Sequence, residues 1–360
     1  MQKSVEMGWS AYFQEHWKKL EMAEGVPARV VAEHRGMYSV AAESGELLAE
    51  VSGRLRHRAA GRADLPAVGD WVAVEARAAE GRGTIHAVLP RRSRFVRKVA
   101  GRRVEEQVVA ANVDTVFLVT SLNQDMNPRR IERYLAQVWV SGASPVAVLN
   151  KADLCDEAQA AALAAELEAA AMGVPVLRVS AATGEGFESL APFLAAGQTV
   201  ALLGSSGVGK SSIINRLLGR EAQAVREVRE GDDRGRHATT TRQLFALPGG
   251  AMVIDTPGMR ELGLWSDGAG VEQAFADIES LAAECRFEDC GHESEPGCAI
   301  RAALADGRLD EARLENWRKL QKELTFLERK RDKGLQAAER DKWKGIHKEI
   351  KRIYKQRDKP

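Results

Sequence analysis

Between residues 9 and 20 the large apolar side chains fall three and four apart, as Trp9, Tyr12, Phe13, Trp17 and Leu20. That spacing lines them up on one stripe of a helix. The opposite face mixes Glu and Lys without a basic bias, so the stripe predicts a packing helix rather than one lying on a membrane surface. From about Arg29 the period shortens to that of strands. Segments 30–32, 38–42, 47–51, 71–74 and 84–89 are rich in Val and Ala and are separated by the turn sequences Glu43-Ser44-Gly45-Glu46, Gly69-Asp70 and Gly81-Arg82-Gly83. Five short strands within about 65 residues suit a small barrel of the oligonucleotide-binding (OB) type.

Past a polar connector near residues 102–107 the rhythm changes again. Strands are expected at 114–120, 145–149, 174–179 and 199–203, with helices at 128–140, 154–172, 187–194 and 210–218. Apolar strands alternating with helices imply a parallel sheet covered on both faces, with ligands at the carboxyl ends of its strands. Two apolar stripes follow near the C-terminus, Trp317, Leu320, Leu324, Leu327 and then Trp343, Ile346, Ile350, Ile353, each predicting a packed helix with an outward basic face.

The chemistry sits at the strand ends. Gly204-Ser205-Ser206-Gly207-Val208-Gly209-Lys210-Ser211, followed by Ser212, has the form of a phosphate loop between a strand and a helix. Its glycines let backbone N–H groups close round phosphates, Lys210 reaches the β and γ oxygens, and the Ser211 hydroxyl is suited to magnesium. Asn150-Lys151-Ala152-Asp153 ends an earlier strand. A carboxylate at Asp153 accepts from both N1–H and the 2-amino group of guanine, a donor pair that adenine lacks. Asn150 supports the loop, the Lys151 stem lies along the base, and Ser180-Ala181 can offer a backbone N–H to the guanine carbonyl. In an ordinary GTPase the phosphate loop precedes the guanine motif; here it follows, so the order is circularly permuted.

Asp255-Thr256-Pro257-Gly258 follows an apolar strand, which suits Asp255 to magnesium through water and the Gly258 N–H to the γ-phosphate. Residues 221–242 form a charged candidate switch ending in His237-Ala238-Thr239-Thr240-Thr241-Arg242, and Thr241, with Thr240 close behind, is the candidate magnesium hydroxyl. Where Ras-like enzymes carry a water-orienting glutamine this chain has Met259, so intrinsic hydrolysis should be slow and His237 becomes the candidate for positioning water.

Composition adds three constraints. Among 360 residues there are four cysteines, three of them grouped with a histidine as Cys285, Cys290, His292 and Cys298; three thiolates and an imidazole can surround one zinc with no open position, which makes a structural ion the expectation. Cys155 is left over as a small hydrophobe. The net charge is only +1, yet residues 51–103 hold 13 Lys and Arg against 4 Asp and Glu, and residues 316–360 hold 16 against 7. Two basic blocks flanking a nucleotide site favour RNA as a partner, with Arg54, Arg56, Arg58, Arg91, Arg92, Arg94 and Arg97 placed to meet phosphates. No apolar run approaches the length of a membrane span and no secretory leader is visible, so a cytoplasmic protein is expected.

Taken in series, Val68-Gly69-Asp70, Asn-Lys-Ala-Asp, the phosphate loop, Gly235-Arg236-His237 with its threonines, Asp-Thr-Pro-Gly and a Cys-Cys-His-Cys cluster ending in Pro296-Gly297-Cys298-Ala299-Ile300 resemble the ribosome small subunit-dependent GTPase A family (RsgA/YjeQ) over nearly the whole chain. Ala238 departs from a threonine often found there. The readings together predict a multidomain α/β protein: a helical extension at 1–24, longer than in many members of that family, an RNA-binding OB barrel at 25–100, a circularly permuted P-loop GTPase domain at 108–270, a zinc-binding domain at 271–315 and basic C-terminal helices at 316–360. The resemblance further implies a monomer that binds GTP with magnesium, engages the 30S subunit and its rRNA in the GTP state during late maturation, hydrolyses GTP when the subunit stimulates it, and leaves. Two other readings stand beside it: a GTP-gated RNA-binding assembly module whose hydrolysis is incidental, and a signalling GTPase acting on another protein, which would not need two basic blocks.

Overall fold

The computed structural model describes residues 6–20, 22, 25–99, 105–122, 126–171, 173–220, 242–255 and 268–329. Its first helix, α1 (Ala11–Lys18), carries the expected stripe. Phe13 is buried against Trp71 and Leu89 of the adjoining barrel, with Trp9, Tyr12, Trp17 and Leu20 packed around them. Trp9 meets Trp71 edge-on at 4.7 Å between ring centres, an arrangement favoured by the ring quadrupoles.

Five strands close the barrel: β1 (Val26–Glu33), β2 (Tyr38–Ala42), β3 (Gly45–Val51), β4 (Trp71–Arg77) and β5 (Arg82–Val88). They run in the order β1-β2-β3-β5-β4 and return to β1, with β3 and β5 parallel and every other pair antiparallel. Alternation puts Ala28, Val30, Val40, Leu47, Ala49, Val72, Val74 and Ile85 inside. Between β3 and β4 a short helix, α2 (Gly53–Arg58), exposes Arg54, Arg56 and Arg58, capped by Ser52, whose Oγ accepts from the Leu55 N–H.

The Val68-Gly69-Asp70 turn has a local reason. Gly69 sits at φ +93°, and a Cβ there would come within 2.1 Å of the Ala111 carbonyl oxygen. Asp70 is sealed from solvent, accepting from the Ala67 N–H and from Arg91 through both carboxylate oxygens. Arg91 also donates to the carbonyls of Ala63 and Leu65. This corrects the reading of Arg91 as a phosphate contact, since its fork is consumed internally; Arg54, Arg56, Arg58 and Arg94 do face solvent.

A second correction concerns the connector near 102–107. Residues from Glu105 onward belong to β7 (Glu105–Ala111), which pairs antiparallel with β6 (Arg94–Val99) as a separate ribbon. Its charged positions hide the strand pattern, while Phe95, Val108, Val109 and Ala110 anchor it in the interior.

The main sheet runs β10 (Val176–Arg178), β9 (Ser144–Asn150), β8 (Thr115–Ser121), β11 (Thr199–Leu203), β13 (Met252–Asp255), β12 (Gln243–Ala246). All neighbours are parallel except β12, which runs against β13. Helices α3 (Pro128–Ser141) and α4 (Glu157–Ala170) pack on one face, while α5 (Lys210–Leu218) and a 3₁₀ turn at Phe187–Phe193 pack on the other. Among the described residues beyond β13 come α6 (Ala269–Ala274), α7 (Ala276–Ala283), α8 (Ala299–Ala305) and α9, over 311–329. Leu320 and Leu324 of the first C-terminal stripe are buried against the α3 side of the core, with Trp317 and Leu327 packed beside them; α9 thus runs straight through the expected boundary at 315. The second stripe, Trp343 to Ile353, lies outside the described residues.

Candidate nucleotide and metal sites

Each expected nucleotide residue that is described stands at the carboxyl end of a parallel strand. β9 ends in Asn150, β10 leads to Ser180, β11 runs into Gly204 and β13 ends at Asp255. Gly204 must be glycine because a Cβ would lie 2.1 Å from the Val119 carbonyl, and Gly209, at φ +93°, because it would lie 2.2 Å from Asn150 Nδ2. Gly209 and Lys210 then open α5, whose first N–H groups point at the loop mouth. Lys210 Nζ donates to the Gly204 oxygen at 2.8 Å and to the Ser205 oxygen at 2.5 Å, which holds the ammonium over the loop.

Asn150 ties the two halves of the site together. It is buried, its Nδ2 donates to the Val208 carbonyl at 2.8 Å, and its Oδ1 accepts from the Ala181 N–H at 3.0 Å. The Ala181 N–H expected to face the guanine carbonyl is thus engaged by Asn150. Ser180 Oγ donates to Asp153 Oδ1 at 2.5 Å and accepts from the Thr183 N–H, which orients the carboxylate. Lys151 adopts φ +66°, turning the chain so that Ala152 and Asp153 form a 3₁₀ turn beside the base position. A cavity of about 610 Å³ is walled by Asn150, Lys151, Asp153, Ala181, Gly209 and Ser212, with Asn215, Arg216 and Arg220 completing the lining. Val208 is buried under the loop. Ser206 is exposed at its tip, and Ser211 lies in the first turn of α5.

Burial pushes the Asp255 carboxyl up, and Lys210 pulls it back down. A divalent cation would reinforce that pull, so the acid suits a magnesium-bearing phosphate. Two arginines escaped the motif reading. Arg130, near the N-terminus of α3, donates through Nη1 to Ser205 Oγ, and Arg216 spans the turn after Ser180. His237, Thr240, Thr241, Gly258 and Met259 lie outside the described residues.

Cys285, Cys290, His292 and Cys298 bring their ligand atoms within 4.8 Å of one another. Cys285 Sγ and Cys298 Sγ are 3.9 Å apart, and His292 Nδ1 is 3.6 Å from each. A tetrahedron with ~2.3 Å metal–sulfur bonds has edges of about 3.8 Å, so the spacing fits one tetrahedral ion. Burial pushes the Cys290 thiol up to about 11; at Cys285 burial acts the same way, but the N–H groups of Ala299 and Ile300 hold that thiol below its ordinary value. Such close thiols ionise together only around a cation. Burial and Arg318 lower His292, leaving the neutral imidazole a metal needs. The loop between ligands is organised by Glu295, whose carboxylate accepts from the N–H groups of Gly291, Glu293 and Ser294. Backbone N–H groups, its own first, hold that carboxyl down to about 2. Cys155 donates its thiol to the Leu122 carbonyl at 2.6 Å, outside the cluster.

A phosphate loop and a guanine-type loop meeting on one parallel sheet, with the guanine-type strand earlier in the chain, define a circularly permuted GTPase. Residues 88–265 match the model of the RsgA GTPase family. The chain is 51% identical over 342 residues to the small ribosomal subunit biogenesis GTPase RsgA of Opitutus terrae, covering 92% of this chain and 93% of that one. It is 48% identical over 327 residues to the protein of the same name from Syntrophotalea carbinolica, covering 89% of each. Among solved structures, YjeQ from Thermotoga maritima superposes with TM-score 0.62 at 29% identity, over 83% of this chain and 99% of that one. The fold is likewise that of YloQ, described as a circularly permuted GTPase, at TM-score 0.61 and 24% identity over 85% of this chain. The chain belongs to the RsgA family of GTPases.

Proposed function

We propose that this protein binds GTP with magnesium, engages the small ribosomal subunit and its rRNA in that state during subunit maturation, and is released when the subunit triggers hydrolysis. The observation that carries the reading is Asn150, which joins Val208 of the phosphate loop to Ala181 of the base-side turn, so the two ends of one nucleotide are read by a single connected unit. The relatives' name, small ribosomal subunit biogenesis GTPase, supplies the partner. In this reading Asp153 accepts from the guanine edge, Lys210 meets the β and γ oxygens, Gly258 senses the γ-phosphate, and Ser211, Thr241 and Asp255 hold magnesium, which neutralises phosphate charge. His237 positions water where Met259 cannot.

Cys285, Cys290, His292 and Cys298 hold one zinc as a structural ion, since four protein ligands leave no position for substrate. The rRNA contacts fall to the exposed arginines of α2 and to Arg94, whose side chains face solvent. Among the described residues no helix is long and apolar enough to cross a membrane; the site of action in this reading is the cytoplasm, where the protein works as a monomer. Turnover of GTP and ATP with and without purified small subunits tests the reading. GTP turnover should rise at least tenfold with subunits, by roughly 1.4 kcal/mol off the barrier, while ATP turnover stays at background. Binding without stimulation would instead identify an RNA-binding module whose hydrolysis is incidental.

A further inference from the structure

Arg216 is absent from both the phosphate and the guanine motifs, yet it joins them. It stands on α5, the helix that Lys210 opens beneath the phosphates, and reaches back to the base side of the cavity. Its Nη1 donates to the carbonyl oxygens of Ala181 and Ala182, both at 3.1 Å, and its Nη2 donates to that of Thr183 at 2.8 Å. Three successive carbonyls are thereby collected by two nitrogens of one planar fork, a span that a single ammonium nitrogen lacks. The surroundings are shaped to receive it. Cζ lies 5.5 Å from the centre of the Phe187 ring. Gly184 sits at φ +93°, where a Cβ would come within 1.9 Å of Nη2. From the other side the same turn is held by Asn150, whose Oδ1 accepts from the Ala181 N–H.

Resting on the reading that residues 150–153 and 180–181 hold the guanine, we propose that Arg216 is a positioning residue for base selection. Its guanidinium fixes the 181–183 turn against the phosphate-loop helix. The turn then presents a set shape to the 6-position of the purine, where guanine has an acceptor and adenine a donor pair. Phosphate contacts alone do not distinguish the two bases, so loosening the turn costs discrimination rather than binding in general.

The test is calorimetric titration of GDP and ADP, with magnesium, into the full-length protein and its R216A and R216K variants, with thermal melts alongside. The wild type should prefer GDP. R216A should lose about tenfold in GDP affinity with little change for ADP, so the ratio between them falls while the melting temperature holds. R216K should recover only part of the loss, because one Nζ lacks the second arm of the planar fork. A GDP-to-ADP ratio that survives both substitutions, equal losses for both nucleotides, or full rescue by lysine would each overturn the assignment. A wild type with no preference for GDP would overturn the guanine reading itself and this assignment with it.

Discussion

Arg29 lies in β1 sealed from water, and its donors reach three parts of the molecule. Nη1 meets the Met7 carbonyl of the extension, Nε meets Gly69 of the barrel at 3.2 Å, and Nη2 meets Asn112 at 3.2 Å and the Thr199 hydroxyl of the main sheet at 2.8 Å. Burial lowers its pKa to about 10, with Asp114 and Asp70 opposing the drop, so it stays charged at neutral pH. R29M leaves those acceptors without a donor and should destabilise the protein by about 3 kcal/mol in urea unfolding; R29K should recover less than half of that loss. Asp153 makes a different prediction. Replacing it by Asn turns one acceptor oxygen into a donor, which mismatches the guanine edge and suits xanthine, whose C2 carries an oxygen. D153N should lose on the order of 100-fold in GDP affinity and bind xanthosine diphosphate more tightly than GDP in the same titration. Asn150, Asp153, Lys210 and the three cysteines were legible in the sequence because their identity and spacing carry the chemistry. Arg29, Arg91, Arg130 and Arg216 were not: an arginine reads alike whether its fork meets buried carbonyls, a buried aspartate or solvent.

Elements legible in the sequence were those whose apolar period is clean. The barrel strands, α3, β9, β11 and α5 fall within a few residues of expectation, since alternation or a three-four spacing follows directly from which face is buried. The β6–β7 ribbon was hidden because polar residues interrupt its apolar pattern, Arg94, Arg97 and Glu106 together with the buried Gln107, so that only partners distant in sequence show Phe95 and Val109 to be interior. The metal loop was legible as four ligands and not as a turn. His292 adopts φ +59°, a conformation uncommon for a residue with a side chain, and Glu295 gathers the surrounding N–H groups that keep it there. Arg318 of α9 adds a bond to the His292 carbonyl at 2.7 Å. E295Q, which weakens three charge-assisted bonds, should reduce metal affinity about tenfold in competition with a chromogenic chelator; an unchanged affinity would assign Glu295 to loop solubility alone. On the proposed zinc reading, a chelator should loosen the ligand loop together with its contacts to α9, read as a fall in melting temperature.

At the scale of the whole molecule, α3 is the bridge. Its first turn meets the phosphate loop through Arg130, while Glu132 accepts from Arg313 at 2.7 Å and from Asn316, and Arg133 meets both oxygens of Glu323. Arg313 also clasps Asp277 through two bonds. Gly270 of α6 seats on the same helix, where a Cβ would lie 2.3 Å from the Ala136 carbonyl. Removing Arg313 strands the buried Glu132 carboxylate and frees the half-buried Asp277, so R313A should cost about 3–5 kcal/mol in denaturant unfolding. On the other side, β12 pairs Gln243 with Ala32 of the barrel, and Arg242 meets Glu33 at 2.7 Å. β12 therefore joins the nucleotide-domain sheet to the barrel, and α6, the first described helix beyond β13, packs on α3. The proposed function asks bound phosphate to bias both placements at once. The most direct measurement is the affinity of the full-length protein for purified small ribosomal subunits, taken once with a non-hydrolysable GTP analogue and once with GDP. The account predicts binding at least tenfold tighter with the analogue, weakening steeply as salt rises; equal affinities in the two nucleotide states would contradict it.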